Sequence, residues 1–360
     1  MIKKKLVVIQ PTLSSYRLPV YRELAAEFDV HIICQQTPDA SFGDIDKDSL
    51  LSFTMHYVQN KHVLSGMLFW QKGIFNKLKR IQPDKIFIFS NVHFLSTWVL
   101  LLRYSFSKVQ LFLHGHGLYK QTQLSPVYRF VYNPLIFLSD KYICYNEHVL
   151  NCFRSFNFMS SKITYVNNTI DIPSIVKPED KDPCGNNIMF IGRLRKGSCI
   201  DVLIKAVNEA NCSATEIIEL HIVGSGAEEE NLRKQYNQSW IKWHGKVYDE
   251  AKIASISKSC AFGIYPGDAG LSVVHYMALS LVPVVHDCIT KHMGPEPAYV
   301  INGYNGLLLD EKNKQDSIVS LINGLGALDI RKLQRNSHNT FLELSKPSYG
   351  SQLIRIFKDL

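Results

Sequence analysis

Four glycine-containing turns in the second half of this 360-residue chain stand where apolar, strand-like runs end: Gly192, Gly224-Ser225-Gly226, Gly267 to Gly270, and Gly303 to Gly306. Backbone without a Cβ lets a ligand come close. The first turn also carries Arg193, Arg195 and Lys196. Cations at a strand end beside a helix start supply what a diphosphate needs, a point charge from lysine and a planar fork from arginine. The third turn, Pro266-Gly267-Asp268-Ala269-Gly270, leads into a helix that opens at Leu271 or Ser272. Free N–H groups and the positive end of the helix dipole suit an anion there. A solvated basic loop explains either feature alone; the two together in one domain point to a nucleotide diphosphate.

The first half has its own candidates. The apolar run Val109–Leu113 ends in His114-Gly115-His116-Gly117. Open α/β sheets bind ligands at the C-terminal ends of their strands, so at least one of these histidines is expected to face a ligand. No carboxylate or cysteine lies close in sequence, and no metal site is predicted. The turn after the first strand, Gln10 to Tyr16, lacks glycine entirely, which removes the main support for an NAD-type fingerprint.

The elements that must position these residues alternate. Buried-strand runs are predicted at Leu6–Ile9, Val30–Cys34, Phe53–Val58, Lys85–Phe89, Val109–Leu113, Lys141–Tyr145 and Ile163–Val166. Helices are predicted between them at Leu18–Phe28, Met67–Ile81, Val92–Phe106, Pro126–Leu138 and His148–Phe156, with a polar loop at 36–50. Residues 173–186, polar and proline-containing, are expected to be a linker. The pattern then restarts, with strands at Asn187–Ile191, Glu219–Val223, Ile241–Trp243, Cys260–Tyr265 and Val282–Val285. The expected fold is α/β, two doubly wound Rossmann-like domains facing across a cleft, at 1–172 and 187–345. The last segment, 346–360, is expected to be a helix reaching back to the first domain.

Bulk properties narrow the partners. Charged residues make up 20% and hydrophobic residues 46%, as in a globular protein. Eight cysteines without a Cys-x-x-Cys pair fit buried thiols in a reducing compartment. The net charge of +8 is uneven: residues 1–183 hold 21 Lys+Arg against 14 Asp+Glu, the remainder 19 against 18. A basic first half suits anionic lipid headgroups or an acidic acceptor, and nothing suggests nucleic acid. Neither a signal peptide nor a membrane span is predicted, so the expected location is cytoplasmic, at most peripheral on the inner face of the plasma membrane.

Several short motifs fall in a particular order: Tyr16-Arg17-Leu18-Pro19, His116-Gly117, Asn168-Thr169-Ile170-Asp171, Gly192-Arg193-Leu194, Gly224-Ser225-Gly226, Gly270-Leu271-Ser272-x-x-His275, Pro283-Val284-Val285 and Asn305-Gly306-Leu307. Across nearly the whole chain this order resembles the family-4 retaining glycosyltransferases of the GT-B fold, which build bacterial surface polysaccharides and glycolipids from nucleotide sugars. The resemblance implies a donor site of Gly192, Arg193, Lys196, Gly224, Gly226, Asp268, Gly270, Leu271, Ser272 and His275. It implies catalytic roles for His116, near the donor sugar, and for Arg193 and Lys196, on the diphosphate. Tyr16 and Arg17 would face the acceptor, a glycan or lipid-linked sugar. No cofactor or metal is implied.

The chain departs from the family pattern in two places. The usual Gly-Arg-Leu-x3-Lys-Gly spacing puts a lysine at 198 and a glycine at 199, where this chain has Ser198 and Cys199; Lys196, two residues early, is the candidate substitute. The usual Glu-x7-Glu pair registers on Gly267 and His275. Asp268 is a partial replacement for the first carboxylate, and His275 is expected to hydrogen-bond the ribose hydroxyls that the second one holds. A minority of these enzymes resembles the Gly-x-x-Gly-Leu-Ser-x-x-His form. The implied activity is transfer with retention in lipopolysaccharide O-antigen or capsule assembly. A non-catalytic nucleotide-sugar-binding relative or partner subunit is the alternative, and a nucleotide-sugar epimerase, which needs acid and base carboxylates, is a weaker one.

Overall fold

The computed structural model describes residues 2–35, 52–63, 65–158, 161–183, 185–213 and 216–359. The loop expected at 36–50 lies outside them. The chain divides into two compact units, Met1–Asn168 with Pro347–Leu360, and Thr169–Lys346.

The first unit runs β1 (Lys5–Ile9), α1 (Leu18–Glu27), β2 (Asp29–Gln35), β3 (Thr54–Val63), β4 (Leu68–Lys72), α2 (Ile74–Ile81), β5 (Lys85–Phe89), α3 (Leu95–Tyr104), β6 (Gln110–Gly115), α4 (Pro126–Leu138), β7 (Lys141–Cys144), α5 (Glu147–Ser155) and β8 (Ile163–Tyr165). Its sheet has the order β4-β3-β2-β1-β5-β6-β7-β8, parallel except for the β3–β4 pair. The β1, β5 and β6 runs are apolar at consecutive positions because both faces of a parallel sheet are covered.

One predicted element is wrong in kind. The stretch 67–81 was expected to be a single helix, but Leu68–Lys72 forms an edge strand and only Ile74–Ile81 is helical. The break is Gly73, at φ 88°, a left-handed conformation that helix interiors exclude. Before it, Phe69 stacks against Phe94 and packs on His62, contacts that an extended strand supplies.

The second unit runs β9 (Asn187–Ile191), α6 (Ile200–Ser213), β10 (Leu220–Val223), α7 (Glu229–Gln235), β11 (Ile241–Gly245), α8 (Glu250–Ser257), β12 (Cys260–Tyr265), α9 (Ser272–Ala278), β13 (Val282–His286), β14 (Leu307–Leu309), α10 (Lys314–Asn323) and α11 (Ile330–Ser345). Its six strands are parallel, in the order β11-β10-β9-β12-β13-β14. The order reverses at β9, whose neighbours β10 and β12 are reached in opposite directions. That reversal is the switch point at which doubly wound sheets open a crevice.

The segment expected to be a linker is seated on the second unit. Val176 is buried, its N–H donates to the Ala278 carbonyl at 3.1 Å, and its own carbonyl accepts from Ser280 Oγ at 2.5 Å. Lys181 is buried too, and its ammonium donates to the carbonyls of Ser257 and of Leu279, where α8 and α9 end. Helix C-termini leave such carbonyls unpaired, so they suit a cation. Burial still lowers the Lys181 pKa to about 7. Composition hid this because a lysine is read as a solvent-facing residue.

The last helix, α12 (Tyr349–Lys358), belongs to the first unit and packs against α1. Phe357 inserts between Phe28, Phe87 and Phe112 with edge-on ring contacts. Tyr349 donates its hydroxyl to His114 Nε2 at 2.7 Å, while His114 Nδ1 donates to the Ile143 carbonyl at 2.8 Å. This fixes the neutral tautomer, and burial pushes the His114 pKa down to about 3.

Replacing Tyr349→Phe leaves a buried imidazole nitrogen unpaired and is expected to cost about 1–3 kcal/mol. The sign with pH follows from the depressed pKa. An unfolded histidine titrates near 6.5, so below that pH the unfolded chain binds a proton that folded His114 refuses. The stability from neutral His114 is complete above about pH 6.5 and drains as pH falls towards 3. Thermal melts between pH 7.5 and pH 5, which cross the upper part of that window, should fall for the wild type, and less steeply for His114→Gln.

Candidate functional site

The predicted donor residues gather at the C-terminal edge of the second sheet, around the switch point. After β9 the chain turns at Gly192, and Leu194 N donates to Ser225 O at 3.0 Å. The glycines of the next loop answer to this contact. A Cβ on Gly224, which sits at φ 138°, would stand 1.8 Å from the Gly192 carbonyl oxygen, and one on Gly226 2.2 Å from that of Leu194. Glycine is thus required at 224 and 226 by the neighbouring backbone, a reason that holds without any ligand.

The same close approach links the first and third turns. A Cβ on Gly267 would lie 2.0 Å from the Gly197 carbonyl oxygen and would meet the backbone of Ser198. Asp268 N donates to Gly197 O at 2.9 Å, and the Arg195 guanidinium clasps the Asp268 carboxylate with two bonds of 2.8 and 2.6 Å. The hydrogen bond and charge of Asp268 raise the Arg195 pKa. Asp268 therefore holds a loop of its own unit. It does not project from the first-glutamate position, since that position, 267, has no room for a side chain.

The lysine departure has a matching cause. Ser198 is buried and its hydroxyl donates to Arg195 O at 2.6 Å, and Cys199 adopts φ 52°, the left-handed region where the family pattern has glycine. Arg193 and Lys196 are the exposed cations of this turn. With Arg195 engaged by Asp268, these two are the cations of the turn that present to solvent at the switch point.

The third turn is fixed from below by residues the sequence did not single out. His292, buried, accepts from Ala269 N at 3.2 Å through Nδ1 and donates from Nε2 to the His286 carbonyl at 2.9 Å. Its ring stacks on His286 at 3.8 Å. Burial lowers its pKa and keeps the accepting nitrogen unprotonated. The buried carboxylate of Glu296 lies next to Gly270, 3.6 Å from where a Cβ would stand. The carboxyl group of a protein side chain therefore already lies beside the opening of α9. Gly270 and Leu271 form the end of this turn, and Ser272 Oγ is out of solvent with no hydrogen-bond partner among the described residues.

His275, one turn into α9, donates from Nε2 to Glu250 Oε2 at 3.0 Å. Glu250 stands in the first turn of α8, after Asp249, which caps that helix by accepting from Ala251 N at 3.0 Å. A carboxylate from α8 thus meets the side chain of α9 at 275. The sequence carries no periodic clue to this, because the two residues are 25 positions apart and meet only through the sheet order.

In the first unit the structure separates the two histidines. His114 is a core residue, bonded on both nitrogens as described. His116 keeps an exposed edge and packs its ring on Tyr145 at 4.4 Å. The protein crowded around the ring, then Lys120 and Arg17, push its pKa down to about 4, so it is a neutral donor or acceptor at pH 7. Arg17 is buried: it bonds Asn168 Oδ1 and lies over the Tyr349 ring at 4.6 Å and the Tyr16 ring at 5.1 Å. Of the expected pair, Tyr16 is exposed and Arg17 is buried beneath it. Among the described residues no cluster of His, Cys, Asp and Glu is placed to hold a metal ion.

Comparison with known proteins follows this geometry. Residues 5–146 match the family model described as glycosyl transferase 4-like, and residues 185–325 that of glycosyl transferases group 1. An uncharacterised glycosyltransferase of Methanocaldococcus jannaschii is 26% identical over 297 residues, spanning 76% of this chain and 74% of its own. The fold is GT-B. HepE of Anabaena, solved in complex with UDP and glucose, superposes with a TM-score of 0.68 over 99% of this chain and 100% of its own, at 15% identity. The lipopolysaccharide outer core galactosyltransferase WaaB, in its apo form, gives 0.68 at 15% identity, with coverage of 99% and 100%.

Removing the clasp between the first and third turns is expected to loosen both. Asp268→Ala should lower the stability of the second unit by about 1–2 kcal/mol, the range for a hydrogen-bonded, half-buried ion pair. Denaturant unfolding followed by tryptophan fluorescence measures it, and an unchanged midpoint would contradict the assignment.

Proposed function

We propose that this chain, a GT-B glycosyltransferase by the family models that match its two halves, moves a sugar from a nucleotide-diphosphate donor to a glycan or lipid-linked acceptor with retention of configuration. The observation that carries the reading is the pairing of exposed Arg193 and Lys196 at the switch point with an Arg195 already neutralised by Asp268. Two exposed cations at a strand end suit two phosphates. HepE, whose structure holds UDP and glucose, supports a nucleotide-sugar ligand for this fold.

In the proposed reaction the bond from the anomeric carbon to the diphosphate oxygen breaks while an acceptor hydroxyl forms its bond on the same face. The hydroxyl proton passes to the departing diphosphate oxygen. Negative charge gathers on the diphosphate as the bond lengthens, and Arg193 and Lys196 stabilise it. Backbone N–H groups at Gly270, Leu271 and Ser272 add to this. Neutral His116 is suited to hydrogen-bond a sugar hydroxyl, and Tyr16 is the acceptor-side candidate. The ribose diol would be held by Glu250, whose carboxylate accepts from two hydroxyls, with His275 orienting it. The acceptor belongs to bacterial surface polysaccharide assembly, lipopolysaccharide or capsule, at the cytoplasmic membrane face.

A second reading is favoured by one observation. Position 267 is closed to any side chain and position 275 is a histidine, so the usual pair of carboxylates is absent. In that reading the chain binds nucleotide sugar without transferring it, alone or as a partner subunit.

Titration with a panel of UDP-, GDP- and other nucleotide sugars, together with a transfer assay, separates the readings. Arg193→Ala is expected to weaken diphosphate binding by about 1.5–3 kcal/mol, roughly ten- to a hundredfold. Unchanged affinity would overturn the phosphate assignment. Glu250→Gln is expected to reduce the preference for a ribonucleotide over its 2′-deoxy analogue while leaving deoxynucleotide affinity intact. Retained discrimination would remove Glu250 from the ribose site.

A further inference from the structure

We infer that the α3–α4 face of the first unit is a docking surface for an anionic lipid bilayer. Helix α4 has the sequence PVYRFVYNPLIFL, which is almost wholly apolar. A helix of that composition belongs in a core. Only Leu135 and Ile136 are buried. Phe130, Phe137 and Val127 are 83%, 71% and 67% exposed, and they lie on one stripe of the helix. The neighbouring helix α3 adds Leu102, and Phe106 just beyond its end, at 61% and 84% exposure. The strands β5, β6 and β7 are neighbours in chain order, so right-handed crossovers place α3 and α4 side by side on one face of the sheet, and the two helices do pack together. Exposed aromatic and aliphatic groups on two adjacent helices mark an interaction surface.

Charge decides the kind of partner. From Lys85 to Leu138 and on to Ser139 the chain has no aspartate or glutamate, while it has Lys85, Arg103, Lys108, Lys120 and Arg129. The last four are exposed. A protein partner's surface carries both signs and would usually be met by both. Apolar side chains amid cations, with no anion among them, match a layer whose hydrocarbon lies beneath anionic headgroups. Among the described residues no helix is long and apolar enough to cross a membrane, so the contact is a surface one.

This rests on the membrane-facing part of the reading above and is independent of nucleotide binding. The test is cosedimentation of the full chain with vesicles of phosphatidylcholine alone and of phosphatidylcholine mixed with phosphatidylglycerol. Wild-type protein should bind the mixed vesicles and lose affinity with added salt, by about fivefold for each cation at the surface. The triple variant L102S/F106S/F130S should bind at least about tenfold more weakly, with its melting temperature unchanged because all three side chains are exposed. Arg103→Glu with Lys108→Glu should remove the preference for anionic vesicles. Nucleotide affinity, measured in the same preparations, should be the same in all variants, and its absence throughout would count against the donor site and not against this face. Wild-type protein that ignores anionic vesicles, or a triple variant that binds them fully, overturns the inference. So does a dimer in light scattering that the triple variant dissolves, because the face would then be covered by a second copy.

Discussion

Backbone contact between Gly267 and Gly197 is the constraint on which the candidate site depends. It brings the turn after β12 against the turn after β9 so closely that no side chain fits at 267. Asp268 is then aimed at Arg195, whose two bonds hold the turns together, and Ser198 is folded under them with its hydroxyl on Arg195 O. Positions 198 and 267 thus lie against each other. A lysine at 198 would have to leave a buried position, and a glutamate at 267 would collide with the backbone beside it. Arg193 and Lys196 are on the exposed side of the same turn.

The ends of β12 and β13 show how such a turn is kept in place without a ligand. Ala269 N is held by His292, and His292 by the carbonyl of His286, so the loop is supported from the neighbouring strand. Tyr276, within α9, accepts from Ile191 N at 2.9 Å and secures the end of β9. Glu250 and His275 complete the rim. The site is thus built from rigid strand ends and from side chains whose other atoms are already occupied, which is what positioning of a reactive group requires.

Much of the fold was legible because its strands are continuous apolar runs between amphipathic helices, and both sheets follow from that alternation. Legibility failed where one residue overrode the pattern. Gly73 converted half of an expected helix into an edge strand, and buried Lys181 turned an expected linker into part of the second unit. At the site, the glycine turns and their cations were readable, since strand ends and residue types suffice to find them. Roles were not. Arg195 and Arg193 are indistinguishable by type, and the structure separates them by the Asp268 clasp on Arg195 and by the greater exposure of Arg193. His114 and His116 flank one glycine, and only the return of α12 with Tyr349 shows that the first is core. Glu250, His292 and Glu296 left no mark because their partners are distant in sequence.

The central claim is that a nucleotide diphosphate sits against the turn after β9 and the opening of α9. Hydrogen–deuterium exchange of the full chain, with and without a saturating nucleotide diphosphate, tests it directly. The account predicts slowed exchange in 192–197 and 268–272, with the first unit's α3 and α4 unaffected. A bound nucleotide that left both turns unprotected and slowed exchange elsewhere would contradict it.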